Sequence, residues 1–396
     1  MVVECNTMIA TLSAIVAFQG LVPLHTKGEN IVTPTGQTVT LRGVNFGGWL
    51  VEEIWMTPWK NKESETAKET VRDHDSLWLT VQSRLGKDAM VRIRTEWRNN
   101  WITQEDFKRV KVMGMNHVRI PMLHDLLNEP GGMERLKSVI GMARKAGLYV
   151  VLDMHGAPGG QSNEHHTGNE NRNRLWFDVE NIAEMERKWT ILASTFCDDP
   201  TVAVYDLMNE PMGAPNPAML HLVYDRIIRA IRKVDPSKVV LVDDGYKGFE
   251  TTPHPNVPGW TNISYSLHFY NFNAKDPADH ATTRIKDDVK IKELQGYRSA
   301  PIYIGEFQLE PQYSVKGTRD FTDELNKQGW SWASWTWKAC GASGPVGQWG
   351  LYRPLGTFEV CDPFHDSEAE LIRKIRTYRT ENWGSPAENI AALTIK

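Results

Sequence analysis

The chain has 396 residues, 41% of them hydrophobic and 24% charged, which supplies a large buried core and is unlike the composition of a disordered chain. A formal net charge of −4 leaves no broad basic field, which argues against nucleic acid as the main partner and for a neutral or weakly polar ligand. The four cysteines, Cys5, Cys197, Cys340 and Cys361, form no Cys-x-x-Cys pair and lack zinc-ligand spacing, so neither a metal nor another cofactor is expected.

Residues 8–22 (MIATLSAIVAFQGLV) form an apolar run of signal-peptide length, although Glu4 and no basic residue precedes it. The run is too short to span a bilayer, and no later stretch comes closer. Residues 1–24 therefore read as a possible export signal or extension, and residues 25–396 as a single domain of a soluble protein, either secreted or, failing that, cytoplasmic.

Residues 31–40 read as a hairpin around Pro34-Thr35-Gly36. Eight apolar, β-branched segments follow: 41–46, 115–121, 149–155, 202–211, 239–245, 263–270, 302–307 and 331–339. Helical patterns lie between them, at 103–114, 133–147, 182–196, 218–235 and 321–329, and a last one, SEAELIRKIRTYR, closes the series. Thr103 reads as an N-cap, and Gly114 and Gly147 end two helices. Continuous apolar runs are what parallel strands covered on both faces require. Eight βα units make a closed (β/α)8 TIM barrel the economical α/β architecture. A doubly wound open sheet is the alternative, disfavoured because no Gly-rich phosphate loop follows the first strand. The segment 51–101, with charged helical stretches and five tryptophans, reads as a helical insertion over the barrel mouth.

In such barrels the active site lies at the C-terminal ends of the strands. The polar residues ending these runs are Arg119, Asp153 with His155, Asn209 with Glu210, His268 with Tyr270, Glu306, and Trp335-Thr336-Trp337. Carboxylates are costly to bury, yet Glu210 and Glu306 close apolar strands that face each other across a closed barrel. Two carboxyls about 5 Å apart are what retaining glycoside hydrolysis needs. Glu210 is expected to hold its proton and Arg119 to keep Glu306 ionised.

Arg, His, Asn-Glu-Pro, His-x-Tyr, Glu and Trp, in this order on successive strands, resemble glycoside hydrolase family five, the cellulase-like group, over about 41–337. The resemblance implies that Glu210 is the acid/base, Glu306 the nucleophile and Asn209 the partner of a sugar 2-hydroxyl. It further implies that Arg119 and Tyr270 hydrogen-bond the nucleophile, that His155 and His268 line the sugar site, and that Trp337 is the stacking floor. RGVNFGGWLVEEIWMTPW (42–59) and DMHGAPGGQ (153–161) are similar to the exo-β-1,3-glucanase branch, although Leu267 stands where that branch has a second His. The expected partner is an oligo- or polysaccharide, with a β-glucan or related β-linked glycan as substrate. A transglycosylase using the same carboxylates and a non-catalytic carbohydrate-binding barrel are the rival readings.

The remaining features have plainer readings. Glu164-His165-His166 follows a Gly-rich loop and reads as solvated, and Asp243-Asp244-Gly245 as a turn. Cys340 and Cys361 read either as a pair or as two buried thiols. Gly341, Gly344, Gly347 and Gly350 suggest a flexible loop near Trp349.

Overall fold

The eight apolar segments close into one ring of parallel strands, in the order β10-β3-β4-β5-β6-β7-β8-β9. They are β3 Arg42–Asn45, β4 His117–Leu123, β5 Tyr149–Gly156, β6 Val202–Asp206, β7 Val239–Asp243, β8 Ile263–Phe269, β9 Ile302–Phe307 and β10 Ser331–Ser334. β3 pairs with β4 through Gly43 and His117, and β10 closes the ring onto β3 through Trp332 and Arg42. Every residue of β4 to β10 is buried, as continuous apolar runs demand of a sheet lined inside and covered outside. The computed structural model describes residues 20–68, 70–245, 249, 251–252, 259–270, 299–307, 315–341 and 349–395. Most of the apolar run 8–22 lies outside the described residues, as do Cys5, Gly344 and Gly347.

The described helices are α1 His74–Leu85, α2 Lys87–Asn100, α3 Gln104–Val112, α4 Gly132–Ala146, α5 Val179–Phe196, α6 Pro217–Arg232, α7 Val315–Lys327, α8 Glu368–Arg376 and α9 Ala387–Leu393. Thr103 begins α3 with a capping box: its hydroxyl accepts from Glu105 N while the Asp106 carboxylate accepts from Thr103 N at 2.6 Å. Gly147 ends α4 in the left-handed conformation, as expected.

The expected turn at 34–36 is present, closed by the antiparallel bridge Val32 to Thr38 and by the bonds from Thr33 N to the Gln37 carbonyl and from Val39 N to the Ile31 carbonyl. A further antiparallel ladder precedes it, joining β1 His25–Lys27 to β2 Asn30–Val32 around Gly28-Glu29.

The insertion differs from expectation. Four of its five tryptophans are core residues: Trp59 meets Trp78 at 5.6 Å and Trp97 at 5.7 Å, and Trp97 stacks on Trp101 at 4.6 Å. The Trp97 and Trp101 indoles donate to the carbonyls of Gly48 and Gly47 just after β3. Gly48 has φ +70°, and a Cβ there would come within 3.1 Å of Thr57 and 3.3 Å of Trp101, so that contact needs glycine. α2 is tied to α8 by Arg92–Glu368 and Arg376–Glu96. The insertion is thus a buttress that fixes the loop following β3, and Glu53 and Trp55 carry that loop into the cavity described next.

Candidate active site

Arg119 leaves β4 fully buried, and its guanidinium is engaged on all sides. Nε donates to Asp206 (2.8 Å), Nη1 to Glu306 (2.9 Å) and Asn45 (3.1 Å), and Nη2 to Asn209 (2.9 Å), with Asp153 at 3.1 Å. A fork with five donors fits such a ring of acceptors, whereas an ammonium would not. Burial works against its charge, yet Asp153, Asp206, Glu306 and Asp243 hold its pKa well above the ordinary value. One cation cannot keep four buried acids ionised. Burial accordingly pushes the Asp153 carboxyl up to about 7, against Arg119 and with Glu210, and raises Asp206 and Asp243 as well.

Asp243 is more than a turn residue. It is buried at the end of β7, its carboxylate accepts the backbone N–H of Glu210 at 3.2 Å, and it stands 3.6 Å from His268 Nε2. That bond supports Glu210 in a strained conformation, φ +39°, which a residue with a Cβ seldom adopts. The strain lies at the point where the strand gives way to the loop and turns this carboxyl into the cleft.

Glu306, at the end of β9, takes Arg119 Nη1–H on one oxygen and Tyr270 O–H on the other at 2.5 Å. Ligating atoms of Glu210, Glu306 and His268 all lie within 4.8 Å of one another. His268 Nδ1 is 2.8 Å from Glu210 and 3.7 Å from Glu306. Burial raises the Glu306 pKa, opposed by His268 and Arg119 and reinforced by Glu210. The raised pKa of Glu306 runs against the expectation that Arg119 alone keeps it ionised.

Glu210 and Glu306 open onto a cavity of about 330 Å³, which His155, Asn209 and Tyr270 also line. Arg119 fixes the Asn209 carbonyl oxygen, and its amide NH2 has no protein partner among the described residues. Two expected members are placed otherwise. His268 is 4% exposed and lies beneath the carboxylates, outside the cavity lining. Trp337 is fully buried, with its indole N–H on Asp106 at 2.7 Å, and does not reach the cavity. Trp335 is in the lining instead, stacked on the His155 ring at 5.6 Å and 7°.

The loop after β5 also departs from its solvated reading. His166 is buried, with Nδ1 3.5 Å from Glu210, and burial lowers its pKa to about 4, so it faces the carboxylate as a neutral ring near pH 7. His165 binds the buried Glu53 at 3.2 Å. Burial alone would raise the Glu53 pKa, but the His165 bond and charge, with His155 and the Trp55 N–H, bring it down to about 2. Glu53, Trp55 and Trp349 line the cavity and were not singled out from sequence. A carboxylate in a buttressed loop carries no pattern of its own. Cys340 and Cys361 are both buried free thiols.

Residues 82–341 match the profile of the cellulase family, glycosyl hydrolase family 5. The chain belongs to that family. It is a glycoside hydrolase, and its barrel is the one that the strand pattern predicts. A protein of Neosartorya fischeri named probable glucan 1,3-beta-glucosidase A is 30% identical over 77% of this chain and 84% of its own length. A beta-xylosidase of Phanerodontia chrysosporium is 26% identical over 82% of this chain and 72% of its own. The crystal structure of an endoglucanase from Thermotoga maritima shares the fold with a TM-score of 0.56 at 21% identity, over 89% of this chain and 96% of that one. Among the described residues of this family 5 chain, no helix is long and apolar enough to cross a membrane.

Proposed function

We propose that the chain hydrolyses a β-linked glucan or a related β-glycan with net retention, with Glu210 as acid/base and Glu306 as nucleophile. The observation that carries this reading is the approach of the two carboxylates to within 4.8 Å at the mouth of one cavity. Retaining enzymes place their acids about 5–5.5 Å apart, and inverting enzymes leave roughly 6.5–9.5 Å for a water. The relatives named for β-glucosidase and β-xylosidase activity support the β-linkage.

The Arg119 N–H and the Tyr270 O–H both point at Glu306, and these two bonds favour its carboxylate against the burial that opposes it, which suits a nucleophile. Glu210 delivers a proton to the glycosidic oxygen as Glu306 bonds to the anomeric carbon and the C–O bond to the leaving sugar breaks. Water then attacks the same carbon, Glu210 takes its proton, and the ester to Glu306 breaks. In this reading the Asn209 NH2, which has no protein partner among the described residues, binds the 2-hydroxyl, and Trp335 of the lining contacts the sugar ring.

Azide separates the roles. Glu306→Ala is expected to lose hydrolysis of an aryl β-glycoside and to regain turnover with azide, giving the inverted glycosyl azide. Glu210→Ala is expected to lose about 10²–10⁴-fold, and with azide to give the retained product. Retention from Glu306→Ala, or an active double variant, overturns the assignment.

A further inference from the structure

A group of side chains outside the catalytic cavity joins the insertion to the barrel. Asp73 caps α1, accepting from Ser76 N at 2.8 Å, so that His74 and Asp75 leave the first turn of that helix. Asp125 meets them from the short helical turn His124–Asn128 that follows β4. One ring nitrogen of His74 and one carboxylate oxygen each of Asp75 and Asp125 lie within 4.8 Å of one another. Asp75 and Asp125 also line a cavity of about 240 Å³, together with His124 and Asn169.

His74 is 2% exposed, and its ring is held at Nδ1 by the fully buried carboxylate of Glu52, which also accepts the Trp78 indole N–H at 3.0 Å. Nδ1 is thus spent, and Nε2, which has no hydrogen-bond partner among the described residues, is the nitrogen left for a ligand. A carboxylate behind the ring is the usual support of a metal-binding histidine, because it fixes the tautomer and makes the free nitrogen more basic. The Asp125 carboxylate makes no hydrogen bond or ion pair among the described residues. Asp75 spends one oxygen on the Asn169 amide at 2.8 Å, with Arg172 3.6 Å from that same oxygen, and keeps the other. His124, beside Asp125 in the cavity lining, adds a buried Nδ1 that has no partner.

We propose that His74, Asp75 and Asp125 bind a divalent cation of the zinc or manganese class, which ties the insertion to the loop after β4. One imidazole with two carboxylates suits such ions, whereas calcium and magnesium prefer oxygen alone. Two carboxylates neutralise the dication and outweigh the roughly half positive charge that the N-terminus of α1 sets against it. Zinc ligands stand about 2.0–2.2 Å from the ion, so the three atoms must draw together by about an ångström. That movement is open to Asp75 and Asp125, which are both partly exposed, and the adjoining cavity leaves room for water to complete the coordination. Since Glu52 precedes Glu53, the ion also steadies the loop that carries Glu53 and Trp55 into the catalytic cavity.

The test takes the full chain, stripped by a chelator and dialysed, and titrates it with zinc, manganese or calcium ions by calorimetry, with metal content and the thermal midpoint measured in parallel. One equivalent of zinc or manganese is expected to bind about tenfold or more tightly than calcium and, at saturation, to raise the midpoint by about 3 °C or more. Asp125→Asn is the decisive variant, since it removes a ligand without breaking a hydrogen bond among the described residues. It is expected to keep the metal-free midpoint and to weaken binding by about tenfold or more. No stoichiometric binding means that the ring's own proton satisfies the two carboxylates, and overturns the site. Binding undiminished in Asp125→Asn overturns it too, and its loss in Glu306→Gln would place the ion on the catalytic acids. Equal affinity for calcium overturns the class of cation assigned.

Discussion

Trp335 and Trp337 show where residue-level reading stops. Both end the eighth strand, and the alternation that separates inward from outward side chains applies only while the strand lasts. β10 ends at Ser334, so the chain beyond it is free to aim Trp335 at the cavity and to bury Trp337 against Asp106. The two therefore separate experimentally. Trp335→Ala is expected to lower kcat/KM by roughly ten- to a hundredfold through the loss of about 1–3 kcal/mol of apolar contact with the sugar. Trp337→Phe leaves KM near its original value and costs about 1–3 kcal/mol of unfolding free energy, because Asp106 keeps a buried oxygen without its donor. Steady-state kinetics alongside denaturant melts decide, and the opposite pairing of effects would restore Trp337 as the floor. Glu210, Glu306, Asn209 and Tyr270 were legible because an acid or amide ending an apolar strand has few other uses. His166 was not, since its burial comes from a loop folding back on Glu210 and leaves no periodic trace.

At the scale of elements, strands and helices were readable from apolar runs and caps, while connections were not. The three-residue arms of β1 and β2 are too short to show alternation, so the ladder around Gly28-Glu29 leaves no pattern, whereas Pro34-Thr35-Gly36 marks the turn that follows it. The segment 51–101 reads as an insertion over the barrel mouth, but four of its five tryptophans pack against one another and against Gly47 and Gly48. Capping chemistry was the most transferable signal. Thr103→Ala removes the hydroxyl half of the box at the start of α3 and is expected to destabilise the protein by about 1 kcal/mol, without altering kcat. Thermal unfolding that leaves the midpoint unmoved would show that Asp106 alone secures that turn.

For the whole molecule, the closed barrel followed from the number and character of its strands, whereas the polar lattice inside it could not be foreseen. His117, within β4, is fully buried with Nε2 2.9 Å from the Tyr303 hydroxyl, and burial brings its pKa down to about 3. The unfolded chain binds a proton at this position below about pH 6.5 and the folded one does not, so stability is complete above that value and is lost as pH falls toward 3. Each pH unit inside the window costs about 1.4 kcal/mol. His166 and His268, both lowered to about 4 by burial, act with the same sign. Asp153, raised to about 7, acts with the opposite one, since it weakens the fold as pH rises from about 4 to 7. His117→Gln is therefore expected to reduce the loss of stability between pH 7 and pH 4, measured by urea unfolding. An identical loss in both proteins would mean that His117 titrates normally.

Arg119 on β4 holds Asn45 of β3, Asp153 of β5, Asp206 of β6 and Glu306 of β9 with one planar group. A ribosome must thus finish more than three quarters of the polypeptide before this cation meets its last anion. A nascent chain halted before residue 306 would lack one of the two facing carboxyls and would have no partial activity to offer. Heat should likewise remove turnover and barrel closure in a single step.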